Sequence, residues 1–161
     1  MEPVPTRPGR DFLEELRRRR TELRESMSAL ESAMAAPSSG ERAHWAERVY
    51  VALVELSADF TTHVDITEGP HGLYRDVLRT APRLDGSVKG LTREHAVINA
   101  HLDDLLARTG AAGAAGGAGG ADDVELVREL GTALLGRLVR HRQRGSDLVY
   151  EAYELDIGGE T

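Results

Sequence analysis

Residues 46–67, AERVYVALVELSADFTTHVDIT, decide the fold because core-type side chains recur in this segment at alternating intervals of three and four. The positions that follow this spacing are Ala46, Val49, Leu53, Leu56, Phe60, His63 and Thr67. The spacing predicts an amphipathic helix, since residues three and four apart share one face of an α-helix. Gly69 and Pro70 are expected to end this helix.

Three other segments show the same spacing, and each of them also predicts a long amphipathic helix. Together with the first segment, the predicted long helices cover about 9–35, 41–68, 87–108 and 122–153. A shorter helix is predicted over 72–80, in the connector before the third long helix. Four such helices predict an all-α protein, an antiparallel four-helix bundle of up-down-up-down topology.

The organisation of the chain follows from its proline and glycine content. The bundle is predicted over 10–157, after a disordered lead over 1–9 that contains three prolines. A Gly/Ala tract predicts a flexible linker over 109–121, because its side chains cannot pack or bind.

Composition narrows the class of protein. The chain has 161 residues, with 27 acidic against 20 basic ones and a net charge of −7, which disfavours a nucleic-acid partner. No run approaches 18 apolar residues, so we expect neither a transmembrane helix nor a membrane partner. The N-terminal residues contain no apolar signal region, so a cytoplasmic location is expected. Cysteine is absent, which excludes disulfides, thiolate metal sites and cysteine nucleophiles.

Each predicted long helix places one nitrogen-bearing side chain within its apolar face. These residues are Arg20, His63, His95 and His141. They lie early, late, early and late in successive helices, so an antiparallel bundle brings them to the same level along its long axis. One histidine on an apolar face is usually a hydrogen-bonded core residue, but three at one level favour a metal site. An unsatisfied buried imidazole would cost about 1–3 kcal/mol, so a metal, a cofactor, carboxylates or water must satisfy them.

The three histidines and their helices resemble the hemerythrin-like (HHE cation-binding) domain family. The segments HVDITEGP at 63–70 and REHA at 93–96 look like the corresponding family segments, and the resemblance covers about 11–156. It implies a four-helix bundle with a non-heme di-iron centre held by histidines and carboxylates. It also implies a role in binding or sensing oxygen, in handling iron, or in reactions with peroxide and nitric oxide.

The sequence departs from the family pattern at four ligand positions. Arg20 takes the place of a histidine on the first helix, and Asn99 that of a second histidine on the third. Thr67 and Gly145 stand where the family has an acidic residue on the second and fourth helices. We therefore predict a mononuclear or degenerate site with His63, His95, His141 and Glu68 as metal ligands. Glu68 would reach the metal through a π-bulge, and the alternative is a solvated acid at the helix end.

Arg20 argues against a second metal ion, because a guanidinium group stays protonated and repels a cation. We expect it either to extend towards the end of the bundle, or to replace one metal by pairing with Glu68 or by binding an anion. Gly145 either leaves room for a small ligand such as oxygen or peroxide, or serves a close helix contact. Glu94 either flanks the site or pairs with an arginine.

The predicted cofactor is non-heme iron or zinc, since imidazole and carboxylate suit both ions. Heme held by two histidines is disfavoured because the sequence has no heme attachment motif. Three functions remain open at this point. They are a metal protein for oxygen, peroxide or iron-related sensing or detoxification, a non-catalytic bundle that has lost its site, and a metal-dependent enzyme that activates oxygen.

Overall fold

The computed structural model describes residues 10–114 and 121–155, and this part of the chain is helical without any strand. Its elements are α1 (Arg10–Ala35), α2 (Arg42–Glu68), α3 (Leu73–Thr80), a 3-10 turn (Pro82–Leu84), α4 (Asp85–Ala114), α5 (Ala121–Tyr150) and a closing π-helical turn (Glu151–Leu155). The predicted all-α class, with four long helices, is confirmed. Within the same ranges, no helix is long and apolar enough to cross a membrane.

Helix bounds differ from the predictions at the Gly/Ala tract. Helix α4 continues past its expected end at Arg108 and reaches Ala114, so residues 109–114 of the predicted linker are helical. Within this extension the hydroxyl of Thr109 donates to the carbonyl oxygen of Leu105 at 2.8 Å. Gly110 packs so closely on Tyr50 that an added Cβ would lie 3.3 Å from the ring. Residues 1–9 and 115–120 of the predicted lead and linker lie outside the described residues.

Contacts at both ends of the first and last long helices fix their relative direction. Near the start of α5, Arg128 donates from Nε to the carbonyl of Met34 at the end of α1, at 3.0 Å. Near the start of α1, Arg20 donates to the Ser146 hydroxyl close to the end of α5. Helices α1 and α5 therefore run antiparallel.

The second and third long helices are related in the same way. Tyr50, early in α2, lies against Gly110, late in α4. His63, late in α2, lies with its ring centroid 5.2 Å from that of His95, early in α4. These pairs make α2 and α4 antiparallel and bring the ends that carry histidine together, as the sequence predicts for an alternating bundle.

The buried apolar residues form two groups, one on each side of the level of the histidines. We call the first group the large core; it comprises Leu23, Met27, Leu30, Met34, Trp45, Ala46, Val49, Ala52, Leu53, Leu56, Phe60, Ile98, Leu102, Leu105, Val124, Val127, Leu134 and Leu138. We call the second group the small core; it comprises Leu16, Leu73, Tyr74, Val77, Ala81, Leu84, Val88, Leu91, Leu148 and Ala152. The polar layer, defined as Arg20, His63, His95 and His141, separates the two cores along α1, α4 and α5, and on α2 it follows the large core.

Candidate metal centre

Three of the four residues of the polar layer turn the same ring nitrogen towards one point. Nε2 of His141 lies 3.0 Å from Nε2 of His95 and 3.2 Å from Nε2 of His63. One ligand nitrogen from each histidine falls within 4.8 Å of the other two. His95 and His141 are only 2% and 1% exposed. The structure thus brings together the three histidines that the helix spacing placed at one level.

Aromatic rings from both cores hold the imidazoles in place. Phe60 of the large core stacks on His63 with a centroid distance of 5.7 Å and presents its ring edge-on to His95. Tyr74 of the small core stacks on His95 at 5.8 Å, and its hydroxyl oxygen lies 3.4 Å from Nε2. Burial raises the pKa of Tyr74 above its usual range, so the phenol keeps its proton. The imidazoles are therefore fixed by packing as well as by polar contacts.

Two carboxylates lie beside Nδ1 atoms of the histidines, on the side of the rings away from the converging Nε2 atoms. Oε2 of Glu94 accepts a hydrogen bond from Nδ1 of His141 at 2.8 Å, and the same carboxylate pairs with Arg144. Oε2 of Glu68 lies 3.2 Å from Nδ1 of His95, without the alignment of a hydrogen bond. Glu68, which the sequence predicts as a metal ligand, is thus placed at Nδ1 of His95 and not among the converging Nε2 atoms.

These carboxylates decide where the imidazole protons lie. A proton on Nδ1 of His141, donated to Glu94, leaves the Nε2 lone pair of that neutral ring free. A proton on Nδ1 of His95, next to the Glu68 carboxylate, likewise leaves the Nε2 lone pair of His95 free. Two lone pairs then face each other across 3.0 Å. Because lone pairs repel, this arrangement favours a metal cation between the two rings.

The spacing of the nitrogens fits a metal ion. With metal–nitrogen bonds of about 2.0–2.1 Å, ligand nitrogens lie about 3.3 Å apart in a tetrahedral site and about 2.9 Å apart in an octahedral one. The observed 3.0 and 3.2 Å fall between these values. Carboxylates on the far nitrogens of metal-binding histidines are the usual partners that orient them. The residues present therefore fit a metal held by three imidazoles, with further positions open to other ligands.

The protonation states of the histidines also suit a metal. Burial, followed by repulsion from His141 and His95 and then from Arg20 and Arg142, lowers the pKa of His63 to about 3. Burial and then His141 lower the pKa of His95 to about 3, and burial lowers that of His141 to about 4. All three rings are neutral at pH 7. A metal would therefore compete with at most the one proton that each neutral ring carries, and in His141 that proton lies on Nδ1, away from the centre.

Arg20 and Gly145 border a cavity of about 220 Å³ that His63 and His141 also line. Arg20 donates to the hydroxyl of Ser146, and no ion pair joins it to Glu68 in the described part of the chain. At Gly145 an added Cβ would meet no atom within 4 Å, so the absent side chain leaves open space beside the histidines. The sequence reading of Gly145 as room for a small ligand agrees with this geometry.

Sequence reasoning missed two residues at the site. Tyr74 lies in the connector, and nothing in the helical spacing shows that α3 folds onto His95. Arg142 lines the cavity although it directly follows His141 and therefore points about 100° away from it on an ideal helix. Glu94 was expected either to flank the site or to pair with an arginine, and it does both.

None of the protein-family models, curated proteins or solved structures compared with this chain matches it. The structure itself supplies a helical bundle with a cluster of three histidines that can hold a metal ion.

Proposed function

We propose that this protein binds one metal ion through His63, His95 and His141 and serves in oxygen, peroxide or iron-related sensing or detoxification. The observation that carries the proposal is the convergence of three buried Nε2 atoms, two of them 3.0 Å apart, with carboxylates at the far nitrogens of His95 and His141. The resemblance of the sequence to hemerythrin-like domains supports the choice of ligand chemistry.

The donor set supports a mononuclear site. Three imidazoles with an open position match the ligand set of catalytic zinc, whereas non-heme iron favours an added carboxylate, which Glu68 would provide by turning inward. Arg20 occupies the position at which the family pattern places a further histidine, and its positive charge opposes a second cation. When bound, the metal supplies Lewis acidity and, in the case of iron, one-electron chemistry with oxygen or peroxide.

The surrounding side chains orient the three histidines and enclose the site. Glu94 holds the proton on Nδ1 of His141 and so fixes the ring with Nε2 facing the centre. Phe60 closes the side towards the large core, and Tyr74 places a protonated phenol 3.4 Å from Nε2 of His95. Open space for a small ligand lies on the side of the cavity, which His63 and His141 line.

Metal content tests the proposal directly. Untagged protein from cells supplied with iron or zinc should contain about one metal ion per chain by plasma mass spectrometry. His95→Gln should remove most of the metal, because it replaces a buried ligand. His101→Gln is the matched control on the same helix and should keep it. A content below about 0.3 metal ion per wild-type chain, from cells supplied with iron and from cells supplied with zinc, would contradict the proposal.

Spectroscopy separates the kinds of metal site. Substitution with Co²⁺ should give visible bands of intermediate to high intensity, as expected for a low-coordinate site with nitrogen ligands. A Soret band in the protein as isolated would instead indicate heme, and the absorption of an oxo-bridged ferric pair would indicate two irons. Either spectrum would contradict a single non-heme metal.

A bundle that has lost its metal site is the second candidate. One observation favours it, since a proton on Nε2 of His63 can be donated to Nε2 of His141 across 3.2 Å without any metal. In that case, changing His63, His95 and His141 together to Leu preserves or raises the melting temperature, and chelators have no effect. A chelator-induced drop in the melting temperature of the wild type counts against this candidate.

A further inference from the structure

The cavity beside the three histidines is small and has a defined position. It lies between α1, α2, α3 and α5, and His63, His141 and Gly145 form part of its wall. Its volume of about 220 Å³ is below the roughly 300–1,000 Å³ of pockets for drug-sized ligands. An occupant must therefore be a small molecule, and it would lie directly against the histidine rings.

Two arginines give this cavity a positive wall. Arg20 and Arg142 both line it. Nε of Arg142 is buried without a hydrogen-bond partner. Among the ion pairs of the described residues, none joins Arg20 or Arg142 to a carboxylate. An anion in the cavity would therefore meet two positively charged groups that have no carboxylate partner of their own in the described ranges.

The rest of the cavity wall is apolar. Three of its residues, Leu16, Leu23 and Leu73, are themselves buried, and Leu13, Ile66 and Val149 extend the same surface. An inorganic anion would leave this surface in contact with water. An organic anion with an apolar body would cover it, which is favourable by about 25 cal/mol per Å² of apolar surface buried.

We infer that the cavity binds a small organic carboxylate, with its head group at Arg20 and Arg142 and its apolar body against the leucine-rich wall. A guanidinium group suits this head group because its planar fork donates two parallel hydrogen bonds to a carboxylate. The inference deepens the proposed function, on which it rests for the role of the ligand at the metal. In that function, a small organic carboxylate would be the substrate or the signal molecule of the metal site.

Gly145 provides a way to fill the cavity without substituting either arginine. An added Cβ at this position meets nothing within 4 Å, so the side chain of Gly145→Phe would occupy the free space. At Gly136, on the same helix, an added Cβ would contact only Nη1 of Arg140, at 3.5 Å. Gly136→Phe is therefore a matched control that adds the same ring away from the cavity.

Calorimetric titration of the full chain with benzoate tests the inference, first in metal-free protein and then in metal-loaded protein. We expect one saturable site, a Kd at least about 10-fold weaker in Arg20→Gln and in Arg142→Gln, and an unchanged Kd in the exposed-residue control Arg137→Gln. Gly145→Phe should abolish binding and Gly136→Phe should retain it. Thermal unfolding of each variant verifies that it is folded.

Three results would overturn the inference. They are no benzoate binding below about 10 mM in either form, equal affinity in both cavity-arginine variants and the wild type, or phosphate binding as tightly as benzoate. The two proposals fail separately. Arginine-dependent benzoate binding to a protein that takes up no metal refutes only the metal function, whereas metal uptake without benzoate binding refutes only the carboxylate site.

Discussion

The large core and the small core approach the polar layer from opposite sides, and they differ in the elements that supply them. Side chains of the four long helices alone build the large core, among them Leu53, Leu56 and Leu138, each 0% exposed. The small core instead depends on α3, the 3-10 turn and the closing π-helical turn, through residues such as Val77, Leu84 and Ala152.

Because of this difference, we expect substitutions in the large core and substitutions near the polar layer to affect different properties. The large core meets the histidines through the ring of Phe60 and the cavity through Leu23, and its other residues pack helix against helix. The small core supplies the ring that stacks on His95 and, with Leu16 and Leu73, part of the cavity wall. Changes in the large core should therefore alter the free energy of unfolding, whereas changes near the polar layer should alter ligand and metal affinity.

The largest expected effect is a stability change in the large core. Leu53→Ala should lower the free energy of unfolding of metal-free protein by about 2–5 kcal/mol, because it leaves a cavity in a fully buried position. Urea denaturation measures the change. Val51→Ala, at a position 52% exposed on the same helix, should stay within about 0.5 kcal/mol. A comparable loss in both variants would remove the distinction between core and surface on α2.

The next effect concerns the carboxylates behind the histidines. Glu94→Gln should weaken metal binding by roughly 10–100-fold, because the hydrogen bond that orients His141 loses its charge. Competition with a chromophoric chelator measures the affinity. The exposed Glu129 on α5 offers a control, Glu129→Gln, which should have no effect.

The companion variant Glu68→Gln sharpens this result. Because Glu68 lies beside Nδ1 of His95 without an aligned hydrogen bond, its loss should weaken metal binding less than the loss of Glu94. A larger loss than in Glu94→Gln would instead show that Glu68 turns inward and binds the metal directly, as the sequence predicts.

The stability of the metal-free protein should fall as the pH falls from 8 to 5. The pKa values of His95 and His63 are lowered from 6.5 to about 3 in the folded protein, so the unfolded chain binds more protons in this range. Stability is therefore fully present above pH 6.5 and is lost as the pH approaches the folded values. One such histidine should cost about 2 kcal/mol at pH 5.

Chemical denaturation at several pH values measures this slope. The variant with His63, His95 and His141 all changed to Leu should show a much flatter dependence, since it keeps the same carboxylates and loses only the buried imidazoles. An equal slope in the variant and the wild type would assign the effect to other groups.

The smallest expected effect compares two glycines of α5. Gly145→Ala should stabilise the protein by about 0.5–1 kcal/mol, because a helical glycine is replaced and the new methyl group meets open space. Gly131→Ala should destabilise it, since the added Cβ would collide with Sδ of Met34 in the large core. Thermal unfolding shows whether each variant is more or less stable than the wild type. A higher melting temperature for Gly131→Ala would contradict the tight packing of the large core.

Much of the fold follows from spacing in the sequence. Positions three and four apart define the buried face of each long helix, and Gly69-Pro70 marks the end of α2 at Glu68. The levels of His63, His95 and His141 follow from the same reasoning, because alternating helix directions bring early and late positions together. The end of α4 does not follow, since alanine favours a helix even among glycines.

The partners of the histidines could not be read from one helix at a time. Glu94 reaches His141 across the gap between α4 and α5, and this depends on interhelical distance and not on its spacing from His95. Tyr74 reaches His95 only because α3 docks on the small core. Such contacts join residues of different elements, so they appear only once the helices are packed.

The histidine contacts join parts of the chain that are far apart in sequence. His141 is 46 residues from His95 and 78 residues from His63, and the chain has no cysteine with which to form a disulfide. A metal shared by these rings would act as a removable cross-link between distant parts of the chain, and it would stabilise the folded state because the unfolded chain does not hold the three rings together. Loading should therefore slow global unfolding by fastening α2, α4 and α5 at one point.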